Sequence, residues 1–105
     1  NGNVYEGEWA NNMKNGQGVM TWPDSGVSLN MKYDGQWRDD LQNGQGVLTW
    51  TELYTYDKRY KIRKDKYKLK YEGEFKDGKR HGTGTLYMDG KPYQKGNWAA
   101  DEFMD

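Results

Sequence analysis

Apolar and polar residues alternate with a period of two in short runs along this chain, and the runs recur. Tyr5, Gly7 and Trp9 alternate with Glu6 and Glu8, so the two sets fall on opposite faces of an extended strand. A second run follows, in which Gly16, Gly18, Met20 and Trp22 share one face. Polar residues from Asn11 to Asn15 separate the two runs and have the composition of a turn. Two such runs joined by such a turn predict a β-hairpin.

The hairpin is repeated. Tyr5-Glu6-Gly7-Glu8-Trp9 returns as Tyr33-Asp34-Gly35-Gln36-Trp37 and as Tyr71-Glu72-Gly73-Glu74-Phe75. Nine residues after the glycine of each segment comes a Gly-x-Gly pair: Gly16/Gly18, Gly44/Gly46 and Gly82/Gly84. An apolar stretch follows each pair: Val19 to Trp22, Val47 to Trp50, and Thr85 to Met88. A degenerate fourth start appears at Gly96-Asn97-Trp98. Turns are expected within 11–15, 39–43 and 77–81. Glycine inside a strand marks a close approach by another group; the expected guest is an aromatic ring from the next strand. One hairpin alone is marginal in water. Stacking three or more would join Tyr5, Trp9, Trp22, Tyr33, Trp37, Trp50, Tyr71, Phe75 and Trp98 into one aromatic stripe.

The spacing resembles the membrane occupation and recognition nexus (MORN) repeat, whose consensus runs Tyr-Glu-Gly-Glu-Trp, a polar turn, Gly-x-Gly and a short strand ending in Asp-Gly. Asp89-Gly90 and Asn1-Gly2 match the closing dipeptide. The chain opens on Asn1 rather than Met, so a preceding repeat is expected ahead of it. The resemblance implies an all-β fold: an elongated, twisted, single-layer antiparallel sheet of tandem hairpins forming one domain over residues 1–105. Its repeats would occupy about 5–26, 33–53 and 71–90, with a partial one at 93–98.

Departures from the repeat are as informative. The starting glycines Gly73 and Gly96 lie 23 residues apart, whereas the two earlier intervals are 28 and 38. The first surplus falls around Ser25 to Met31. The second falls at about 54–70, where apolar and basic residues alternate on both sides of Lys64-Asp65. An extended hairpin is expected there, with its turn at Lys64-Asp65, Ile62 opposite Tyr67 and Tyr60 opposite Leu69. Tyr93 stands three residues before Gly96 rather than two, so a bulge is expected near Lys95. The tail, 99–105, reads as a short helix or as disorder, with Phe103 and Met104 able to cap the sheet end.

Composition changes the picture in two ways. A hydrophobic fraction of 33% and a mean hydropathy of −1.29 would ordinarily point to disorder. Aromatics at 15% oppose that and fit a thin sheet with one ring-bearing face. Formal net charge is zero, yet the charge is unevenly placed. Lys58, Arg59, Lys61, Arg63, Lys64, Lys66, Lys68 and Lys70 form a basic arm with one acid, Asp65, among them; the remainder of the chain is net acidic. The arm is open to three readings: lysines that stop an exposed edge from pairing, docking to an acidic protein surface, or contact with anionic headgroups. Interleaved Tyr and Lys suit single-stranded nucleic acid, but the acidic body opposes it. The absence of cysteine removes disulfides and thiolate metal sites and fits a reducing compartment. No run approaches the ~20 apolar residues of a membrane-spanning helix, and no secretory signal pattern is present.

Candidate chemistry is sparse. Glu6/Glu8 and Glu72/Glu74 are paired carboxylates, but they recur with the repeat and read as a solvated face. His81 is the single histidine, expected in a turn and lacking any evident nucleophile or metal partner. The glycine pairs lack the strand-to-helix context of a phosphate loop. The glycines Gly7, Gly16, Gly18, Gly35, Gly44, Gly46, Gly73, Gly82, Gly84 and Gly96 read as structural. A non-enzymatic protein-docking module without cofactor, metal or small-molecule substrate is therefore expected, with the aromatic stripe as its surface. By resemblance, it would belong to a multi-subunit cytoplasmic assembly, cytoskeletal or ciliary. The alternative is a peripheral module that binds anionic phospholipid through the basic arm.

Overall fold

The computed structural model describes residues 2–24, 28–52, 56–57, 62–63 and 67–105, with backbone alone at 28, 56–57 and 62–63. Eight strands form one open antiparallel sheet in chain order: β1 (Val4–Ala10), β2 (Met13–Thr21), β3 (Ser28–Arg38), β4 (Leu41–Glu52), β7 (Tyr67–Lys76), β8 (Lys79–Met88), β9 (Lys91–Ala99) and β10 (Glu102–Phe103). Between β4 and β7, β5 (Tyr56–Asp57) and β6 (Ile62–Arg63) pair with each other. The chain measures 53 × 35 × 20 Å along its principal axes. Its buried hydrophobics, Met20, Tyr33, Trp37, Leu69, Tyr71, Phe75, Leu86 and Trp98, form one cluster. Each repeat is a hairpin, and the hairpins stack side by side as the repeat pattern requires.

The hairpin turns are tighter than the polar stretches suggested. Each has two central residues, both at positive φ, as a type I′ turn requires. They are Asn11 (53°) and Asn12 (64°), Asp39 (49°) and Asp40 (71°), Asp77 (50°) and Gly78 (86°), Asp89 (51°) and Gly90 (84°), and Ala100 (49°) and Asp101 (72°). Asn, Asp and Gly tolerate this region best. The residues beyond each turn are already strand, so His81 lies in β8 and not in a turn.

Three expectations about the departures are corrected. The long insertion does not pair Tyr67 and Leu69 with Ile62 and Tyr60. Tyr67 stands opposite Glu52 and Leu69 opposite Trp50, as the start of β7, while Ile62 stands opposite Asp57. Joining β7 to β4 buries Leu69 to 7% exposure between Trp50 and Met88, burial that an isolated hairpin cannot offer. The expected turn at Lys64-Asp65 lies outside the described residues. The bulge in β9 falls at Tyr93, not Lys95: Leu86 faces Gln94 and Tyr87 faces Pro92, leaving Tyr93 between and 61% exposed. Pro92 has no N–H to give the ladder, and proline in a sheet gathers at such irregularities. The tail is neither helix nor disorder. It turns at Ala100–Asp101 and returns as β10, pairing Glu102 with Ala99 and Phe103 with Trp98. It caps the sheet end through Phe103, whose ring lies 5.3 Å from that of Trp98.

Candidate functional site

The Tyr of each repeat and the aromatic residue four positions on lie close on the sheet's ring face, and adjacent repeats continue the contact. Centroid separations run Trp9–Tyr5 4.9 Å, Tyr5–Trp37 5.4 Å, Trp37–Tyr33 5.2 Å, Tyr33–Phe75 5.0 Å, Phe75–Tyr71 5.1 Å, Tyr71–Trp98 5.2 Å and Trp98–Phe103 5.3 Å. All are edge-to-face, the arrangement that brings one ring's positive edge to its neighbour's negative face. Eight rings thus form one continuous ladder running across the strands. Lys14 and Arg80 lie over it at the turn rim: Lys14 Nζ sits 5.6 Å from the Trp37 centroid and the Arg80 guanidinium 5.1 Å from that of Trp98.

Glycine makes room for the ladder. Gly7, Gly18, Gly35, Gly46, Gly73, Gly84 and Gly96 stand opposite one another in a single line across seven strands. A Cβ at Gly18, Gly46 or Gly84 would fall within the rings of Tyr5, Tyr33 or Tyr71. The guest ring therefore comes from the preceding strand of the same hairpin, rather than from the next strand. Each Tyr hydroxyl reaches past the glycines to donate to the carbonyl three residues on: Tyr5 to Glu8 (2.8 Å), Tyr33 to Gln36 (2.8 Å) and Tyr71 to Glu74 (2.9 Å). The indole N–H groups of Trp37 and Trp98 donate backwards to the carbonyls of Gly18 and Gly84, both at 3.0 Å. Gly16, Gly44 and Gly82 have left-handed backbone, at φ +83°, +96° and +75°.

Burial divides the sequence-defined stripe. Tyr33 and Tyr71 are fully buried, and Trp37, Phe75 and Trp98 are 4–5% exposed. These five are core, so they offer no surface to a partner. Tyr5, Trp22 and Trp50 are half-buried, and Trp9 is 58% exposed. Trp22, Leu48, Trp50, Tyr67 and Met88 pack against the core without being enclosed by it. Trp22, Trp50, Tyr67 and Met88 form an apolar rim on the side of the sheet that carries both insertions and the Asp89–Gly90 turn, with Leu48 inside it between Tyr33 and Tyr71. Of the basic arm, Lys58, Arg59, Lys61, Lys64 and Lys66 lie outside the described residues, and Arg63 is described in backbone alone. Lys70 is engaged by Glu72 at 3.1 Å and lies 4.7 Å from the Tyr87 centroid. Lys68 is exposed, and its backbone N–H donates to Asp89 Oδ1 at 3.0 Å.

Sequence reasoning missed the acceptors that hold the repeats together. Glu8 is exposed and Glu74 half-buried, as a solvated face requires, but each also accepts a hydrogen bond from its own hairpin. Glu8 Oε1 accepts from the backbone N–H of Gln17 at 2.7 Å, Gln36 Oε1 from Gln45 at 2.7 Å, and Glu74 Oε1 from Thr83 at 2.6 Å. The ladder shifts register beside each of them, and the side chain satisfies a strand N–H there. The signal was present in the interchange of Glu with Gln at this position, since only an acceptor oxygen is common to both. A second set links neighbouring hairpins. Asp40 Oδ1 accepts from the Lys14 N–H at 2.7 Å while the Asp40 N–H donates to the Lys14 carbonyl; Asp89 does the same with Lys68 and Asp101 with Arg80. The Lys14 N–H, then the Lys14 side chain, holds the Asp40 carboxyl below its ordinary value. Burial pushes the Tyr71 hydroxyl up to about 12 and raises Tyr33 further; burial, then Glu8 and Asp40, raises Tyr5.

Among the described residues, no group of His, Asp and Glu is placed to hold a metal ion. An open groove of about 580 Å³ is lined by Glu8, Asn15, Gln17, Gln36, Trp37 and Arg38 among others. No curated protein matches the chain. The MORN repeat profile, by contrast, matches three times, over residues 5–27, 33–52 and 71–91. These stretches hold the three hairpins with their rings and glycine pairs, and together they cover more than half the sequence. MORN repeats are non-catalytic and serve in general as protein- or lipid-interaction modules. On repeat, register and profile alike, the chain belongs to the MORN repeat family.

Proposed function

We propose that this chain is a non-enzymatic scaffold, a protein-docking module in a larger cytosolic assembly of the cytoskeletal or ciliary kind. The observation that supports this is the rim of Trp22, Trp50 and Met88, half-buried on the ring face beside the core. Trp side chains are frequent anchors of protein interfaces, and Met adapts to irregular partners. Trp22 directly follows β2, and Trp50 and Met88 belong to β4 and β8, each of these strands two from the next in the sheet. Two strand spacings are roughly 10 Å, close to two turns of helix. An amphipathic helix with an apolar residue every two turns fits along the rim.

A second reading, peripheral attachment to anionic membrane, is supported by the eight basic residues within 58–70. Co-sedimentation with vesicles containing anionic lipid, at low and at physiological salt, separates the two. The scaffold reading expects no sedimentation at physiological salt, where exposed charges are screened beyond ~8 Å. It also expects Trp50→Ala, which lowers the melting temperature through lost packing on Leu69, to weaken incorporation into the assembly in cells by more than a variant of matched melting temperature changed on the opposite face. Sedimentation that persists at physiological salt, and is lost when Lys61, Arg63, Lys64, Lys66 and Lys68 are changed to Gln, would replace scaffolding with membrane tethering.

A further inference from the structure

The ring face carries the core and the rim; the other face of the sheet carries a hollow between β4 and β7. Trp50 and Leu69 stand opposite each other and pack on the ring side, so strand alternation turns their neighbours to the far side. There Thr49 faces Lys70 and Thr51 faces Lys68. Two hydroxyls and two ammonium groups thus occupy the corners of one square. These four, with Asn30 and Tyr87, line a hollow of about 340 Å³, and among the described residues no carboxylate lines it.

Most of its donors are unused. Among the described residues the Lys68 ammonium, the Thr49 and Thr51 hydroxyls and the Asn30 side-chain amide have no hydrogen-bond or ion-pair partner. Lys70 is shared: Glu72 lies 3.1 Å from it and the Tyr87 ring 4.7 Å. The Lys70 and Glu72 side chains are 44% and 45% exposed, and so open an ion pair holds its lysine weakly. A carboxylate has two oxygens to offer this square. A phosphoryl group brings three acceptor oxygens and close to two negative charges. One row further on the same face, ~7 Å along the strands, the sign of charge reverses. Asp34 and Glu72, both exposed, flank Val47 there. They line a second hollow of about 490 Å³ together with Gln36 and Gln45.

We propose that this face binds an extended segment of a partner protein in which a phosphoserine or phosphothreonine stands two residues from a lysine or arginine. The phosphoryl group lies over Thr49, Thr51, Lys68 and Lys70, and the cation over Asp34 and Glu72. Residues two apart in an extended segment point the same way and lie ~7 Å apart, which matches the spacing of the basic and acidic rows. Anionic lipid headgroups share the phosphoryl chemistry but fit less well, because a bilayer would press further anions onto Asp34 and Glu72. The hollow and the Trp22–Trp50 rim lie on opposite faces, so this proposal and helix docking fail separately.

The test titrates the synthetic peptide Thr-Val-phosphoSer-Val-Arg-Val-Thr into the isotope-labelled chain at physiological salt. The expected result is a saturable shift of the Thr49, Thr51, Lys68 and Lys70 amide resonances, with Asp34 and Glu72 moving over the same concentrations. The unphosphorylated peptide, and one with Glu in place of Arg, are each expected to bind at least ~10-fold more weakly. Lys68→Gln combined with Lys70→Gln is expected to abolish the shift and to melt near wild type, since neither ammonium is buried and the Lys68 backbone N–H to Asp89 is retained. The proposal is overturned if no resonance moves up to millimolar peptide, or if the double variant binds as well as the wild type. It is also overturned if the unphosphorylated peptide or inorganic phosphate alone acts as strongly. Vesicles of anionic phospholipid that move these resonances where the peptide does not would overturn it as well, and would give the hollow to a membrane surface.

Discussion

At the scale of single residues, the glycines and tyrosines are matched pairs. A Cβ at Gly46 meets the ring of Tyr33, which is fully buried and has nowhere to retreat. Gly46→Ala is expected to cost about 3 kcal/mol or more, read from urea unfolding. Gly18→Ala should cost less, because its partner Tyr5 is only half-buried and can swing aside. Gly90 has nothing within 4 Å of an added Cβ but sits at φ +84°, so Gly90→Ala should cost only about 1 kcal/mol. The tyrosines also set an alkaline limit. A hydroxyl whose folded value lies above its unfolded one stabilises the fold below the unfolded value, and that stability is lost as pH rises through the folded value. For Tyr71 the window runs from its ordinary 10.0 to about 12, with Tyr33 acting in the same direction. Melting temperature is expected to fall once the pH passes that ordinary value, in step with tyrosinate absorbance, and Tyr71→Phe should shrink the fall. Asp40 acts oppositely: its lowered carboxyl supports the fold above the ordinary carboxylate range and ceases to as acid protonates it.

At the scale of the element, each hairpin is closed by one side-chain oxygen against one strand N–H. Glu74→Ala leaves the Thr83 N–H without that acceptor and should cost about 1–2 kcal/mol. Glu74→Gln should change stability by less than ~0.5 kcal/mol, since Gln36 performs the same task in the preceding repeat. Thermal melts of the two variants side by side check both values; a loss with Gln equal to that with Ala would mean that charge, not acceptance, matters. This element also marks where the sequence was readable and where it was not. The period-two pattern and the constant glycine spacing gave the strands, the hairpins and their stacking, because those depend on local alternation. The position of Glu8 in a ladder irregularity was not readable, since alternation alone assigns it to the solvent face. The start of β7 at Tyr67 was missed for a similar reason. Local symmetry about Lys64-Asp65 suggested one partner, while burial of Leu69 beside Trp50 favours another far away in sequence. Of the stripe's rings, Tyr5, Trp9, Tyr33, Trp37, Tyr71, Phe75 and Trp98 meet in the ladder, but which of them are enclosed depends on neighbours on both sides, which periodicity does not supply.

At the scale of the whole molecule, each strand of the sheet touches chiefly the strands before and after it, so stability is a sum over adjacent pairs rather than the property of one central core. Amide exchange is expected to be slowest in β3, β4 and β7, which have neighbours on both sides and carry the fully buried Tyr33 and Tyr71, and fastest in β1, whose outer edge is unpaired. Ending the chain at Ala99 removes β10 and uncovers Trp98, now 4% exposed. A loss of about 2–3 kcal/mol is expected, with Trp98 becoming open to a quencher. All the surplus length, 5 and 15 residues beyond the 23-residue interval, enters at one rim. The glycine line crosses both junctions unbroken; chain can be added there without shifting register.

The ring ladder runs across the strands, and its contacts are broken one strand at a time when the sheet is drawn apart along that direction. Tension between the two ends therefore loads a single junction at once, in a peeling geometry, instead of shearing many hydrogen bonds together. The module yields stepwise at modest force. Each repeat released, 23 residues at its shortest interval, adds roughly 80 Å of slack or more, and recovery needs only the next ring to find its glycine. Anything built from such hairpins is compliant along its length, a tether that lengthens before it snaps.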